Sequence, residues 1–274
     1  MKIKVANHSG FCFGVKRAIN IAKNALRDSK YRENIYSLGQ IIHNPQVVRL
    51  LSEKGLYVVS DIDAIKKGAL IISSHGAPQK IIEKIKRKKI KLIDATCPFV
   101  KYAHDIIKRL KRDGYKIFVV GDKNHPEVKA LLSTVGKKNL YIRGAKAKKI
   151  ALVSQTTQNR DNYIKEISDI LKADFNEARI FNTICNDTAR RQSLTREFLK
   201  ECDVMVVVGG KNSANTKRLH HICRENRVDS YHIETDAELK SGFFLKKKCV
   251  GVVSGASTPE KTVKKVAERI KRLT

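Results

Sequence analysis

The 274-residue chain lacks several features that would settle its class at once. No uninterrupted apolar stretch reaches the ~18 to 20 residues that a membrane-spanning helix needs. Met1 to Gly14 is broken by Asn7, His8 and Gly10, so no signal segment is expected and a cytoplasmic protein is the default. The six cysteines, at positions 12, 97, 185, 202, 223 and 249, form no CxxC pair. Neither a zinc ribbon nor a thioredoxin site is indicated, and in the cytoplasm the thiols are expected to stay reduced. No zinc-finger spacing and no aromatic RNA-binding strand is present. Acidic residues are scarce: 27 Asp+Glu against 56 Lys+Arg leave a formal charge of +29.

Apolar residues are not scarce. They make up 42% of the chain, and runs such as Ile117 to Val120 and Met205 to Val208 argue against disorder. Length alone suggests one or two ordinary domains. The positive charge points either to a polyanionic partner such as RNA or DNA, or to a lysine-rich solvated surface. The densest run, Gln79 to Lys91, holds seven basic residues and one acid with Ile81, Ile82, Ile85 and Ile90 between them. That spacing predicts an amphipathic helix leading into a strand. Lys246-Lys247-Lys248 and the stretch Lys264 to Arg272 read the same way, as wet faces of outer helices. Nucleic acid is therefore the less favoured partner.

The cysteine spacing is informative. Cys12 to Cys97 is 85 residues and Cys97 to Cys185 is 88, which prompts a search for internal repeats. Each of the three closes a short extended segment and opens a stretch of helical periodicity. Pro98 suits a first helical turn, where its missing N–H costs nothing. A strand is expected to end at Gly39, Gly121 and Gly209, and four residues beyond these stand His43, His125 and Ser213. A second strand ends in each case at a polar turn: Ser74-His75-Gly76, Ser154-Gln155-Thr156 and Ser254-Gly255-Ala256-Ser257. Three small α/β units are the economical reading, spanning residues 1–97, 98–184 and 185–274, with the N-terminal strand able to pair in the third. A single larger sheet is the competing one. Parallel sheets bind ligands beyond the carboxyl ends of their strands, so a trefoil of such units would bring the loops and cysteines to one central cavity.

Cys202, Cys223 and Cys249 read as buried core thiols. Cys12, Cys97 and Cys185 differ because helix N-termini favour thiolates, which are soft metal ligands. Three thiolates suit zinc with a histidine or water, or an iron–sulfur cubane with one iron left for substrate. His43, His75 and His125, with Ser213, Asn215 and Ser257, are donors suited to a phosphate or diphosphate. Glu127 is an acceptor among donors and so a candidate proton carrier. A zinc hydrolase and an RNA-binding module both stay open on these residues alone.

The ordered motifs resemble one family. They are Gly10-Phe11-Cys12-Phe13-Gly14-Val15 with Arg17-Ala18-Ile19, His43-Asn44 with Val47-Val48, Ser74-His75-Gly76, and Asp94-Ala95-Thr96-Cys97-Pro98. They continue with His125-Pro126-Glu127-Val128, Gln155-Thr156-Thr157, Ile184-Cys185 with Arg191-Gln192, Asn212-Ser213 with Asn215-Thr216 and Arg218-Leu219, and Gly255-Ala256-Ser257. Together they span essentially the whole chain, and they are similar to the motifs of 4-hydroxy-3-methylbut-2-enyl diphosphate reductases.

The resemblance implies a trefoil of three α/β domains and a [4Fe–4S] cluster held by Cys12, Cys97 and Cys185. It implies that His43, His75, Ser213, Asn215 and Ser257 hold a diphosphate. His125 and Thr156 would sit nearer the hydroxymethyl group, and Glu127 would deliver protons. The implied reaction is reductive dehydroxylation of an allylic diphosphate to isopentenyl and dimethylallyl diphosphate, with electrons from reduced ferredoxin or flavodoxin. A monomer is expected. A positive field would draw in both the diphosphate and an acidic carrier, less strongly in salt. Ala214 stands where the family often has a serine touching the diphosphate, so one hydrogen bond is lost or replaced. Asn124 replaces a usual glycine, Ser74 a usual alanine, and Asp187 a common alanine near Cys185.

Overall fold

A computed structural model describes residues 1–28 and 34–274 of the chain. Three separate sheets are present among them, and every strand pairing is parallel. The single larger sheet is thereby excluded. Contacts divide the chain into two compact units, one of Met1–Val15, His43–Pro45 and Cys185–Thr274, the other of Lys16–Ile42 and Gln46–Ile184.

The first unit holds one sheet. Its strands are β1 (Lys2–Val5), β9 (Val204–Val208), β10 (Asp229–Ile233) and β11 (Cys249–Ser254), in the order β1-β11-β9-β10. Every residue of β9 and β11 is buried, as expected of inner parallel strands covered on both faces. Helices α7 (Asn186–Leu199), α8 (Ala214–Glu225) and α9 (Glu260–Leu273) belong to this unit. Val263, Val266 and Ile270 of α9 pack with Val206, Val208 and Val252 in one core cluster. Cys202, Cys223 and Cys249 are buried, with Leu219 and Val253 in a second cluster.

The second unit holds two sheets. One is β3-β2-β4-β5, built from β2 (Ile35–Leu38), β3 (Leu56–Val59), β4 (Ala69–Ile72) and β5 (Lys91–Asp94). The other is β6-β7-β8, built from β6 (Lys116–Val120), β7 (Lys149–Ser154) and β8 (Glu177–Ile180). Helices α3 (Gln79–Arg87), α4 (Pro98–Arg112), α5 (Pro126–Val135) and α6 (Arg160–Ile170) lie wholly within it. α1 (Phe13–Arg27) and α2 (Pro45–Ser52) cross the boundary between the units.

The sheets repeat one pattern. The strand leading to each cysteine (β1, β5 or β8) pairs with the strand that ends at the serine turn (β11, β4 or β7). That strand in turn pairs with the one that ends at the glycine (β9, β2 or β6). β3 and β10 extend two of the sheets, and in the third an isolated parallel bridge between Ile117 and Leu140 takes the same place.

Helix starts follow the sequence closely. α1, α4 and α7 each begin one residue after a cysteine. The basic run Gln79 to Lys91 forms α3 and then β5, with Ile85 fully buried. Lys246–Lys248 departs from expectation. It forms no helix but the turn before β11, where Lys246 takes a left-handed φ of 59° and Cys249 starts the strand. The run is still largely solvated, with Lys246 and Lys248 exposed and Lys247 paired with Asp229, but it lies in a turn and not on a helical face.

The carboxyl ends of β9 and β11 close around one threonine. A Cβ on Gly255 would meet Thr216 Oγ1 at 2.0 Å, and one on Gly209 would meet it at 2.7 Å. Gly255→Ala should therefore destabilise the protein by ~1–3 kcal/mol through overpacking, lowering the denaturation midpoint. An unchanged midpoint in a denaturant titration would show that this approach has slack.

Candidate active site

In the second unit, α5 presents the acid–base groups. His125 caps the helix, and its Nδ1 accepts the Glu127 N–H at 3.2 Å, which leaves the proton of a neutral ring on Nε2. Glu127 sits in the first turn and is buried, 1% exposed. Its carboxyl accepts the Thr156 N–H at 2.6 Å and the Thr156 hydroxyl at 2.9 Å. Burial pushes this carboxyl up to about 7, outweighing the two hydrogen bonds from Thr156, which favour the charged form. Thr156 lies just beyond β7, so a parallel strand end and a helix N-terminus meet at one carboxyl. The His75 and His125 rings stand edge to face with centroids 5.3 Å apart. His75 lies in the turn after β4, where its N–H contacts Ser73 Oγ at 3.4 Å.

Cys97 caps α4, and its backbone N–H donates to Ser74 O at 3.0 Å, fixing it beside the His75 turn. Burial raises its thiol above the ordinary value, against the N–H groups of Phe99 and Val100, which lower it. The helix N-terminus alone thus does not make Cys97 a thiolate. Arg17 donates to Thr96 O at 3.0 Å and holds the same turn from α1.

In the first unit, Cys185 caps α7 and its sulfur accepts the Thr188 N–H at 3.4 Å. Cys12 precedes α1, accepts the Val15 N–H at 3.4 Å, and donates its own N–H to Ala256 O at 3.0 Å. Ser213 caps α8 by accepting the Thr216 N–H at 3.3 Å. Ala214 opens that helix with a methyl group where a hydroxyl would be needed for a further bond. Asn215 is buried, and neither its side-chain nitrogen nor its oxygen has a partner among the described residues. Ser257 donates to His43 O at 3.0 Å, and Asn44 donates to Ser257 O at 2.9 Å. Burial and the charge of Lys217 hold His43 below the ordinary histidine range.

The geometry thus joins Glu127 to Thr156 and His75 to His125 in one unit. In the other it joins Cys12 to the Ser257 loop, and that loop to His43. Sequence reasoning missed three groups that shape these loops. Asn44 and Arg191 stand in the sequence only as members of motifs, without a role, yet Asn44 ties Ser257 in place. Arg191 is buried within α7 and donates to backbone carbonyls of the Cys12 and Ser257 segments. His104 of α4 bonds Thr134 of α5 at 2.7 Å, and burial lowers it to about 4. The Asp187–Arg191 spacing of four was visible on a helix, but the distant acceptors were not.

Two features test whether the residues fit the implied groups. Cys12, Cys97 and Cys185 form no disulfide, are less buried than the other three cysteines, and each precedes a helix whose N–H groups face a sulfur. That chemistry fits soft-metal ligation. The orphaned carboxamide of Asn215 fits a polar ligand, since a buried amide without partners is costly.

All-parallel sheets with cysteine, histidine and serine loops beyond the carboxyl ends of the strands define an α/β protein of the ligand-binding type. The family model described as LytB protein matches residues 3–271. The 4-hydroxy-3-methylbut-2-enyl diphosphate reductase of Syntrophotalea carbinolica is 43% identical over 278 residues, covering 98% of each chain. The reductase of the same name from Geobacter sulfurreducens is 44% identical over 280 residues, covering 98% of this chain and 97% of its own. A solved (E)-4-hydroxy-3-methyl-but-2-enyl diphosphate reductase, the terminal enzyme of the non-mevalonate pathway, matches with a TM-score of 0.70 at 39% identity, over 99% of this chain and 100% of that one. The E-1-hydroxy-2-methyl-but-2-enyl-4-diphosphate reductase of Plasmodium falciparum gives 0.91 at 27% identity, over 97% and 87%. The chain belongs to the 4-hydroxy-3-methylbut-2-enyl diphosphate reductase family. No helix among the described residues is long and apolar enough to cross a membrane.

The Glu127 carboxyl carries a stability consequence. A group raised from 4.5 to about 7 by folding contributes fully below the unfolded value and loses that contribution as pH rises through the folded one. Glu127→Gln should therefore gain stability over the parent between about pH 5 and pH 8, by on the order of 3 kcal/mol at the upper end. Parallel stability–pH curves for the two proteins would show that the carboxyl titrates normally.

Proposed function

We propose that the protein reductively removes the hydroxyl of 4-hydroxy-3-methylbut-2-enyl diphosphate, giving isopentenyl and dimethylallyl diphosphate. The balance is one allylic alcohol, two electrons and two protons in, and one C5 diphosphate and one water out. The observation that carries the reading is Glu127: a buried carboxyl, raised to about 7 and bonded to Thr156, is a proton source near neutral pH. Cys12, Cys97 and Cys185 would hold a [4Fe–4S] cluster, which when bound supplies single electrons and an iron free of cysteine as Lewis acid.

The remaining steps belong to the chain's own side chains. His43, His75, Ser213, Asn215 and Ser257 bind the diphosphate, with the unpaired Asn215 amide as a ready donor. Ser257 must turn its hydroxyl from His43 O to do so. Ala214 offers no side-chain donor, so the neighbouring groups carry that contact. His125 and Thr156 orient the hydroxymethyl end, and Thr156 lies directly on the Glu127 carboxyl as the proton leaves it. Burial excludes bulk water from that carboxyl, so its proton is held for the bound substrate. Reduced ferredoxin or flavodoxin is the proposed donor, and the charge of +29 favours its approach.

Anaerobic purification followed by iron, sulfide and visible-absorption measurement tests the reading. The parent protein should be brown and carry both elements, and Cys12→Ser should lose cluster stability. Glu127→Gln should keep the iron and lose turnover by roughly 100-fold or more. Full activity in Glu127→Gln would overturn the proton role, and a colourless protein with no affinity for iron would overturn the reaction.

A further inference from the structure

Arg191 is 3% exposed, and its guanidinium has five N–H donors, each with an acceptor. Nε donates to Asp187 Oδ2 at 2.7 Å, and one terminal nitrogen donates to His8 O at 3.2 Å and Ser254 O at 3.0 Å. The other terminal nitrogen donates to Gly10 O at 2.9 Å and approaches Asp187 Oδ1 at 3.4 Å. His8 closes the ring from outside, with Nε2 2.8 Å from Asp187 Oδ1.

These acceptors lie on three different segments. Gly10 is two residues before Cys12, Asp187 is two residues after Cys185, and Ser254 ends β11 at the turn that carries Ser257. Cys12 itself donates to Ala256 O within that turn. We infer that Arg191 is a positioning residue: one buried cation, oriented by Asp187 and His8, sets the spacing of the Cys12 and Cys185 sulfurs and of the Ser257 loop. This inference rests on the proposed function only in giving those sulfurs and that loop their ligands.

The physical reason is directional. A planar guanidinium has a fixed donor fork, so three backbone carbonyls and a carboxylate bonded to it are fixed in angle as well as distance. Moving any one segment leaves a buried charged donor unpaired. Lysine keeps the charge but has three donors on a single nitrogen, so it cannot reproduce the five bonds that the guanidinium fork spreads over these segments. Cys97 lies outside this set, since the turn before it is held by Arg17 through Thr96 O.

That asymmetry supplies the test. Anaerobic metal-free full-length protein is treated with iodoacetamide, and alkylation is resolved for each cysteine by peptide mass spectrometry. Arg191→Lys should accelerate alkylation of Cys12 and Cys185 several-fold while Cys97 keeps the parent rate. Amide hydrogen exchange of residues 8–12 should quicken alongside, and inorganic diphosphate should bind several-fold more weakly. In reconstituted protein, loss of iron to a chelator should be roughly 10-fold faster or more. Asp187→Asn, which keeps the cation and removes its orienting charge, should show the same pattern in weaker form and remains informative if Arg191→Lys does not fold. Equal acceleration at all three cysteines, or no change at Cys12 and Cys185, overturns the inference. A parent protein that never takes up iron would defeat the cluster reading instead, leaving the cysteine-resolved result to decide the role of Arg191.

Discussion

Parallel pairing forces the carboxyl ends of neighbouring strands to one edge of each sheet, and the loops that leave that edge begin beside one another. In the sheet built on β9 and β11, the Cys12 segment therefore starts next to the Ser257 turn, and a backbone hydrogen bond joins them. In the sheet built on β4 and β5, the same relation places Cys97 against Ser74. Helices follow directly, so each cysteine caps or precedes a helix and meets N–H groups. One pairing rule, applied three times, sets the pattern of reactive residues.

Burial then decides protonation. The same exclusion of water lifts Glu127, raises the Cys97 thiol and lowers His43, in each case toward the neutral form. Hydrogen bonds oppose it at Glu127 and Cys97 without prevailing. A neutral carboxyl beside Thr156 and a neutral ring at His43 are the forms that donate a proton and a hydrogen bond near pH 7. The opposite choice was made at Arg191, where a charge is kept in the interior and every donor is satisfied. Satisfied in this way, a buried cation acts as a rigid joint.

Much of this was legible in the residues themselves. Helices start one residue after Cys12, Cys97 and Cys185, and strands end at Leu38, Val120 and Val208, just before the glycines that marked them. The alternation of Ile81, Ile82, Ile85 and Ile90 with lysines gave α3 and β5 correctly, because periodicity reports burial directly. Lys246–Lys248 was misread because a short basic run has no period and the turn depends on a left-handed residue. Glu127 could be named as an acceptor among donors, but its neutrality depends on how completely the chain covers it. Arg191 stands in a motif, but its role is hidden for a related reason: its backbone acceptors at His8, Gly10 and Ser254 carry no side-chain signature in sequence.

Product analysis separates the proposed reaction from every other reading of the site. Anaerobically reconstituted protein would be given 4-hydroxy-3-methylbut-2-enyl diphosphate and a chemical one-electron reductant, and the C5 diphosphates measured over time. Isopentenyl and dimethylallyl diphosphate should form, with one water released and two electrons consumed per turnover. Substrate returned unchanged by protein fully loaded with iron and sulfide would rule this reaction out.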